Sequence, residues 1–424
     1  MFNQLHSNIK IRILTTFLSR LASSMILPFI PIYFTTAINA YVAGILLMIQ
    51  IGFEFIASFY GGYAADTIGR KRMMVIGEWM TVAAFIGILI VNSPWITSPW
   101  LTFLMLIIIG IATGLIYPAS EAMLIDVSTK ETRAFMYSIS YWVRNFSLML
   151  GLMIGGWFFQ TNLFELLLAL LILSIVTVWI TLTYIEETHE VVRVDGERAK
   201  FRLTPFLKSY RAVSSDWPFV LFTLGGIAII ALEFQRVNFI AVRLNKEFIP
   251  QTFALSDYLA FSLDGVKLIT LLTVENTFII VLCTAIVAKW ISTQLGKEQL
   301  ILFTGFLLFG SGYAVLAFSN HLLTLFLAVI VLTIGELLYV PTRQTILADI
   351  IDDSRRGSYL AFNGLVIQIG KLFGALGIIV GEIIGGTGMA AFYLLFAFLA
   401  IGFSKLGLVR RNRKISENII SEIV

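Results

Sequence analysis

The sequence predicts an all-α membrane protein of twelve spanning helices, arranged as two similar halves. Three observations lead there. Of the 424 residues, 58% are hydrophobic and only 13% are charged, about half the charge of a water-soluble domain. That much apolar surface needs lipid as part of its solvent, and the apolar residues fall into runs long enough to cross a bilayer as helices. The second half also repeats landmarks of the first. The same offset, 223 residues, separates Pro118 from Pro341, Asp126 from Asp349, Arg133 from Arg356 and Gly151 from Gly374.

The expected spans are 10–37, 41–66, 72–92, 100–127, 133–160, 163–186, 216–244, 264–290, 298–319, 322–350, 355–384 and 389–410. The charges support this count. Loops on one side hold Arg70, Lys71, Arg72, Lys130, Arg133, Lys289, Lys297, Arg355 and Arg356, and both termini are basic. The opposite loops near 38, 95, 161 and 386 hold no Lys or Arg, although the connection 245–263 carries Lys246. Basic loops stay in the cytoplasm, so both termini are expected inside the cell membrane. A polar stretch, 187–215, divides a first six-helix bundle, 1–186, from a second, 216–424. The short polar start before the first span is not expected to be a cleaved leader.

Composition narrows the function. The net charge of +4 is modest and its bases cluster at span ends, which points to a membrane surface rather than nucleic acid. Cys283 is the one cysteine, and His6, His189 and His321 lie far apart, so neither a disulfide nor a metal or other cofactor is expected. No Gly-x-x-x-x-Gly-Lys-[Ser/Thr] loop is present to bind ATP. An intramembrane enzyme would need a nucleophile–base pair, and no such spacing occurs.

The loop after the second span reads Gly61-Gly62-Tyr63-Ala64-Ala65-Asp66-Thr67-Ile68-Gly69-Arg70-Lys71-Arg72. Gly62 and Gly69 allow close helix approach and a sharp turn. The Asp66 carboxylate can hold a helix end, and Arg70 can fork onto a second acid. The spacing Gly-x-x-x-Asp-x-x-Gly-Arg-Lys resembles the signature loop of the major facilitator superfamily of transporters, although that family usually has a cation where Thr67 stands. The resemblance implies that Asp66 caps helix 11. It also implies that Arg70 pairs with Asp126 as a cytoplasmic latch, with Gly62, Gly69 and Arg133 beside them. The superfamily's two parallel six-helix repeats place a substrate site between them near mid-membrane. Gly335-Glu336-Leu-Leu-Tyr339-Val-Pro341-Thr-Arg343-Gln344-Thr345, with Tyr141, Trp142 and Asn145, resembles LmrP-type multidrug–proton antiporters. Gly151-Leu-Met-Ile-Gly155-Gly156 resembles a Gly-Pro-x-x-Gly-Gly element of drug–proton antiporters, with Leu152 replacing its proline.

Ionisable residues inside a membrane are costly and so are functional candidates. Glu54, Arg20, Arg144, Glu233, Arg236, Glu275, Glu336 and Lys371 fall in the middle half of their spans, with Glu121 and Arg343 nearer the cytoplasm. Their near-balance suggests pairing. Glu233 and Arg236 sit at i,i+3 on one helix and can pair there. In the family fold, Glu54 with Lys371 and Arg144 with Glu275 are expected to bridge the halves. Glu336 has no base within one turn. A desolvated carboxylate can load and release a proton near neutral pH, and the matching glutamate of LmrP-type antiporters is a proton and substrate site. Glu233 and Glu121 are the other proton candidates. Tyr33, Tyr117, Tyr141, Trp142, Tyr339, Arg20, Arg144, Arg236 and Arg343 complete the expected cavity.

That protein has acids where this chain has Ser140 and Val237. A cavity with fewer acids and more arginines suits neutral, zwitterionic or anionic compounds better. The expectation is proton-coupled efflux of lipophilic drugs by a monomer. A transporter of one specific metabolite is the alternative, and a non-transporting sensor or scaffold is the reading from another class.

Overall fold

The computed structural model describes residues 5–188, 213–256, 259–294, 296–351 and 356–423. The chain divides into two compact units, Met1–Phe201 and Arg202–Val424. The first holds α1 (Ser7–Ala37), α2 (Ala40–Ile68), α3 (Arg70–Val91), α4 (Pro99–Asp126), α5 (Lys130–Phe158) and α6 (Leu163–Tyr184). The second holds α7 (Trp217–Glu247), α8 (Gly265–Ser292), α9 (Glu298–Phe318) and α10 (Leu322–Ile350). It ends in a helical stretch, Arg356–Ile423, which Gly385 at φ 67° divides into α11 (356–384) and α12 (386–423). Small hairpins, β1–β2 (Asn92–Ser93 with Ile96–Thr97) and β3–β4 (Gln251–Ser256 with Leu259–Leu263), close two loops.

Ten segments among the described residues are long and apolar enough to cross a membrane. Twelve helices result because Phe362–Arg413 runs through both α11 and α12, and because α5, with Tyr141, Arg144, Asn145 and Ser147 in its membrane-length part, is less apolar than the other spans. The outer faces carry large apolar side chains such as Ile56, Trp79, Ile172, Trp179 and Phe398. Such a surface belongs in lipid. In the first unit α1 packs on α5 and α6, α4 on α2 and α3, and α3 on α6. In the second, α7 and α9 pack on the α11–α12 stretch, and α10 packs on α8 and α9.

Two helices depart from regular geometry. Pro28 and Pro31 remove backbone donors from α1, and a tight 3-10 turn, Leu27–Phe29, bends it there. In α7 a π-turn covers Arg236–Ile240. Such insertions re-aim side chains and recur at functional sites. Close helix approach in the signature loop falls at Gly61 rather than Gly62. A Cβ on Gly61 would lie 2.5 Å from the Gly114 carbonyl oxygen, whereas one on Gly62 would come no nearer than 3.9 Å.

Candidate functional site

The signature loop is a compact charge cluster. Gly69 takes φ 114°, a backbone that L side chains resist, and it starts α3 abruptly. Arg70 pairs with Asp126 and lies 3.7 Å from Asp66. Thr188 also donates to Asp126, at 3.1 Å. Glu187, which follows α6, supplies the cap of α3. Its carboxylate accepts from the backbone N–H groups of Arg70 at 2.9 Å, Lys71 at 3.1 Å and Arg72 at 3.4 Å. These are orphan donors of a helix N-terminus, where negative charge is favoured. Asn8 and the Glu186 backbone bond each other reciprocally, at 2.9 and 3.1 Å, and hold this segment to α1. The expected latch residue Arg133 has its side chain outside the described residues.

Inside the first unit a cavity of about 300 Å³ runs among α1, α3, α4, α5 and α6. Its lining grades from exposed Ser19, Arg20, Thr113 and Tyr117 to buried Arg12, Glu78, Ser174 and Thr177. Arg144 donates to Glu121 at 2.6 Å, so the arginine expected to reach Glu275 is held here by an acid of its own bundle. Tyr33 is elsewhere: its hydroxyl donates to Asn92 at 2.7 Å, in a separate small crevice. Tyr141 is exposed, and Trp142 stacks on Phe146 at 5.0 Å.

The second unit gathers its charges differently. Glu336 on α10 accepts a hydrogen bond from the Asn276 side-chain amide at 3.0 Å, and the same amide group donates to Thr333 at 2.9 Å. The oxygen of Asn276 accepts from Arg236 at 2.6 Å. Glu336 is therefore not a solitary acid. The π-turn carries Arg236 to it through one amide, and Arg236 is the counter-charge of both Glu233 and Glu336. Tyr339, expected at the cavity wall, is instead fully buried against Phe306 and Phe309. Arg343 donates to Asn363 at 3.1 Å and lies over Phe222. Glu275 is half-buried, with one oxygen lacking a hydrogen-bond partner. Among the described residues no cluster of three or more His, Cys, Asp or Glu is placed to hold a metal ion.

The family model described as Major Facilitator Superfamily matches residues 13–248 and 237–422. The chain belongs to the major facilitator superfamily. A "Na(+), Li(+), K(+)/H(+) antiporter" of Planococcus maritimus is 31% identical over 379 residues, which is 88% of each chain. "Multidrug resistance protein MdtH" of Yersinia enterocolitica is 25% identical over 322 residues, 75% of this chain and 72% of that one. Among solved structures, a POT family transporter in complex with 5-aminolevulinic acid superposes with a TM-score of 0.71 at 13% identity, over 95% of both chains. The human organic anion transporter MFSD10 gives 0.62 at 16% identity, over 95% of this chain and 99% of that one. These two likenesses show the shared major facilitator fold.

Sequence reasoning missed four members of these clusters. Arg12 reads as a flanking positive charge, yet it is buried with 7% of its surface exposed. Glu78, also buried, shares a helical face with Thr81 and Phe85 at i+3 and i+7, a spacing that marks the face but not what it meets. Asn276 looks like an ordinary polar neighbour of Glu275. Glu187 falls in a polar stretch where no local pattern marks a cap.

Proposed function

We propose that this transporter is a proton-coupled antiporter that exports lipophilic drugs by alternating access, with Glu336 binding the coupled proton. The observation that carries this reading is the relay from Glu336 through Asn276 to Arg236, with Glu233 as the second acid. An ionised Glu336 completes the relay. A proton on Glu336 removes the negative charge around which Asn276 and Arg236 are organised, and so favours a different arrangement. Both termini lie on the cytoplasmic side of the cell membrane, and the protein works as a monomer. Arg70 with Asp126 and Asp66 latches the cytoplasmic ends. Arg144 exchanges Glu121 for Glu275 during the cycle, and Glu54 meets Lys371 across the halves.

A second reading, exchange of alkali cations for protons, is favoured by the Planococcus relative. Glu233, Glu336, Asn276 and Thr333 offer the oxygen ligands that hard cations prefer. Arg236 among them opposes a bound cation, which ranks this reading below drug export.

Everted membrane vesicles energised by respiration test both. Ethidium should accumulate with the wild type and fall to the level of protein-free controls with Glu336→Gln. If the Gln variant accumulates ethidium like wild type, Glu336 is not the coupling residue, and Glu233 or Glu121 takes its place. Collapse of the proton gradient by sodium or potassium chloride, with no ethidium uptake, would select cation exchange.

A further inference from the structure

The cavity of the first unit ends at a carboxylate that the proposed coupling site does not use. We propose that Glu78 is a second proton-binding residue, loaded through this cavity and switching between a protonated state and an ion pair with Arg12. The inference rests on the reading of the chain as a proton-coupled transporter. Glu78 is 6% exposed, and one of its oxygens accepts from Thr181 at 3.0 Å. Its other oxygen is sealed from water and has no hydrogen-bond partner. An ionised oxygen in that position is costly, and a proton removes the charge.

The surroundings supply an alternative state. On α1, Arg12 donates to Thr15 at 3.1 Å, and its Nε is buried without a partner. Both side chains line the cavity, and Arg12 is a cation within electrostatic reach of Glu78. Glu78 therefore has two self-consistent states: neutral with Arg12 on Thr15, or ionised with Arg12 drawn to it. The other charged groups leave this choice open. On α4, Glu121 is engaged by Arg144 of α5. Tyr117 and Arg20 stand at the exposed end. From α6 come only hydroxyls, including Thr181 and Thr177, and α2 lines none of the cavity. About 300 Å³ is room for several waters at about 30 Å³ each, enough to carry a proton from the exposed end.

Loading is a simple addition. A proton from cavity water adds to the Glu78 carboxylate where it lines the cavity and comes to rest on the sealed oxygen, and release returns it to water with the electron pair kept on the carboxylate. Infrared spectra of the purified protein, stepped from alkaline to acid pH, read protonated carboxyl groups whether or not transport occurs. The expected result is loss of one titrating carboxyl band in Glu78→Gln that Glu336→Gln retains. A Glu78→Gln spectrum identical to wild type overturns the proposal. If that variant does not fold, Thr181→Val decides instead. Removing the hydroxyl donor should shift the frequency of one titrating carboxyl band, and an unshifted spectrum overturns the proposal. Failure of Glu336→Gln to affect ethidium transport, with the Glu78 band present, would reject the coupling assignment alone.

Discussion

The two bundles share a packing plan and differ in what they bury. Gly151 on α5 meets α1, where a Cβ would lie 2.6 Å from the Leu21 carbonyl oxygen. Its repeat partner Gly374 on α11 meets α7, where a Cβ would lie 2.6 Å from Phe234. Pro118 and Pro341 sit at matching places inside α4 and α10. The polar positions between these landmarks have diverged. Thr113 of α4 corresponds to Glu336 of α10, Ser120 to Arg343, and Glu121 to Gln344. The first bundle thus surrounds an open cavity with three arginines and two glutamates, whereas the second ties its acid into a relay of side chains. Backbone approach is fixed by the fold, and the chemistry has been free to move from one repeat to the other.

The comparison breaks most clearly at Arg236. Removing it leaves two half-buried acids without their counter-charge, and breaking a fully buried network would cost about 3–5 kcal/mol, the upper bound here. Arg236→Gln should lower the thermal unfolding temperature strongly, and Arg236→Gln with Glu336→Gln should recover part of the loss. Equal destabilisation in the single and double variants would show that Arg236 acts by packing alone. Arg144→Gln, whose acid partner faces a wetter cavity, should cost less in the same assay. Shared packing is tested at Gly155, where a Cβ would lie 2.2 Å from the Met25 carbonyl oxygen. Backbone cannot rotate away, so Gly155→Ala should cost about 1–3 kcal/mol by overpacking. At Gly374 the nearest atom, the Phe234 Cβ, lies farther off at 2.6 Å, so Gly374→Ala should cost less. Equal unfolding temperatures for the two variants would mean that α5 shifts on α1 more easily than α11 shifts on α7.

Apolar run length and the repeat made all twelve helices legible in the sequence, because lipid allows so few alternatives to a helix. The Arg70–Asp126 pair was implied by the resemblance of the signature loop to that of the superfamily, since hydropathy alone names no partner for Arg70. The polar interior was not. Arg236 reaches Glu336 only because a π-turn rotates α7, and a single extra residue in a helical turn leaves no mark in hydropathy. Arg12 and Glu78 come from helices whose adjacency depends on the packing of α3 and α6. Tyr33 and Tyr339 were expected at the cavity. Tyr33 instead bonds Asn92, and Tyr339 packs its ring among Phe306 and Phe309.

The smallest effect is expected at the two loops that begin α3 and α9. In the first, Gly69 turns at φ 114° and the anion over the helix start is Glu187, far away in sequence. In the second, Gly296 turns at φ 78°, and Glu298, two residues on, accepts from its N–H at 3.0 Å. One loop is closed from within, and the other is closed by the segment that leads toward the polar stretch between the bundles. Losing a carboxylate from an exposed helix start costs about 1 kcal/mol or less. Glu187→Ala should therefore shift the unfolding temperature only slightly. Its distinctive signature is local: amide hydrogen exchange should quicken at Arg70, Lys71 and Arg72 and also along the segment around Glu186–Thr188, because the carboxylate fastens each to the other. Glu298→Ala should quicken exchange only within its own loop. If Glu187→Ala frees the α3 amides but leaves Glu186–Thr188 as protected as before, the Asn8 bonds alone hold that segment. Glu187 would then be a cap with no role in tying the start of α3 to the chain that follows α6.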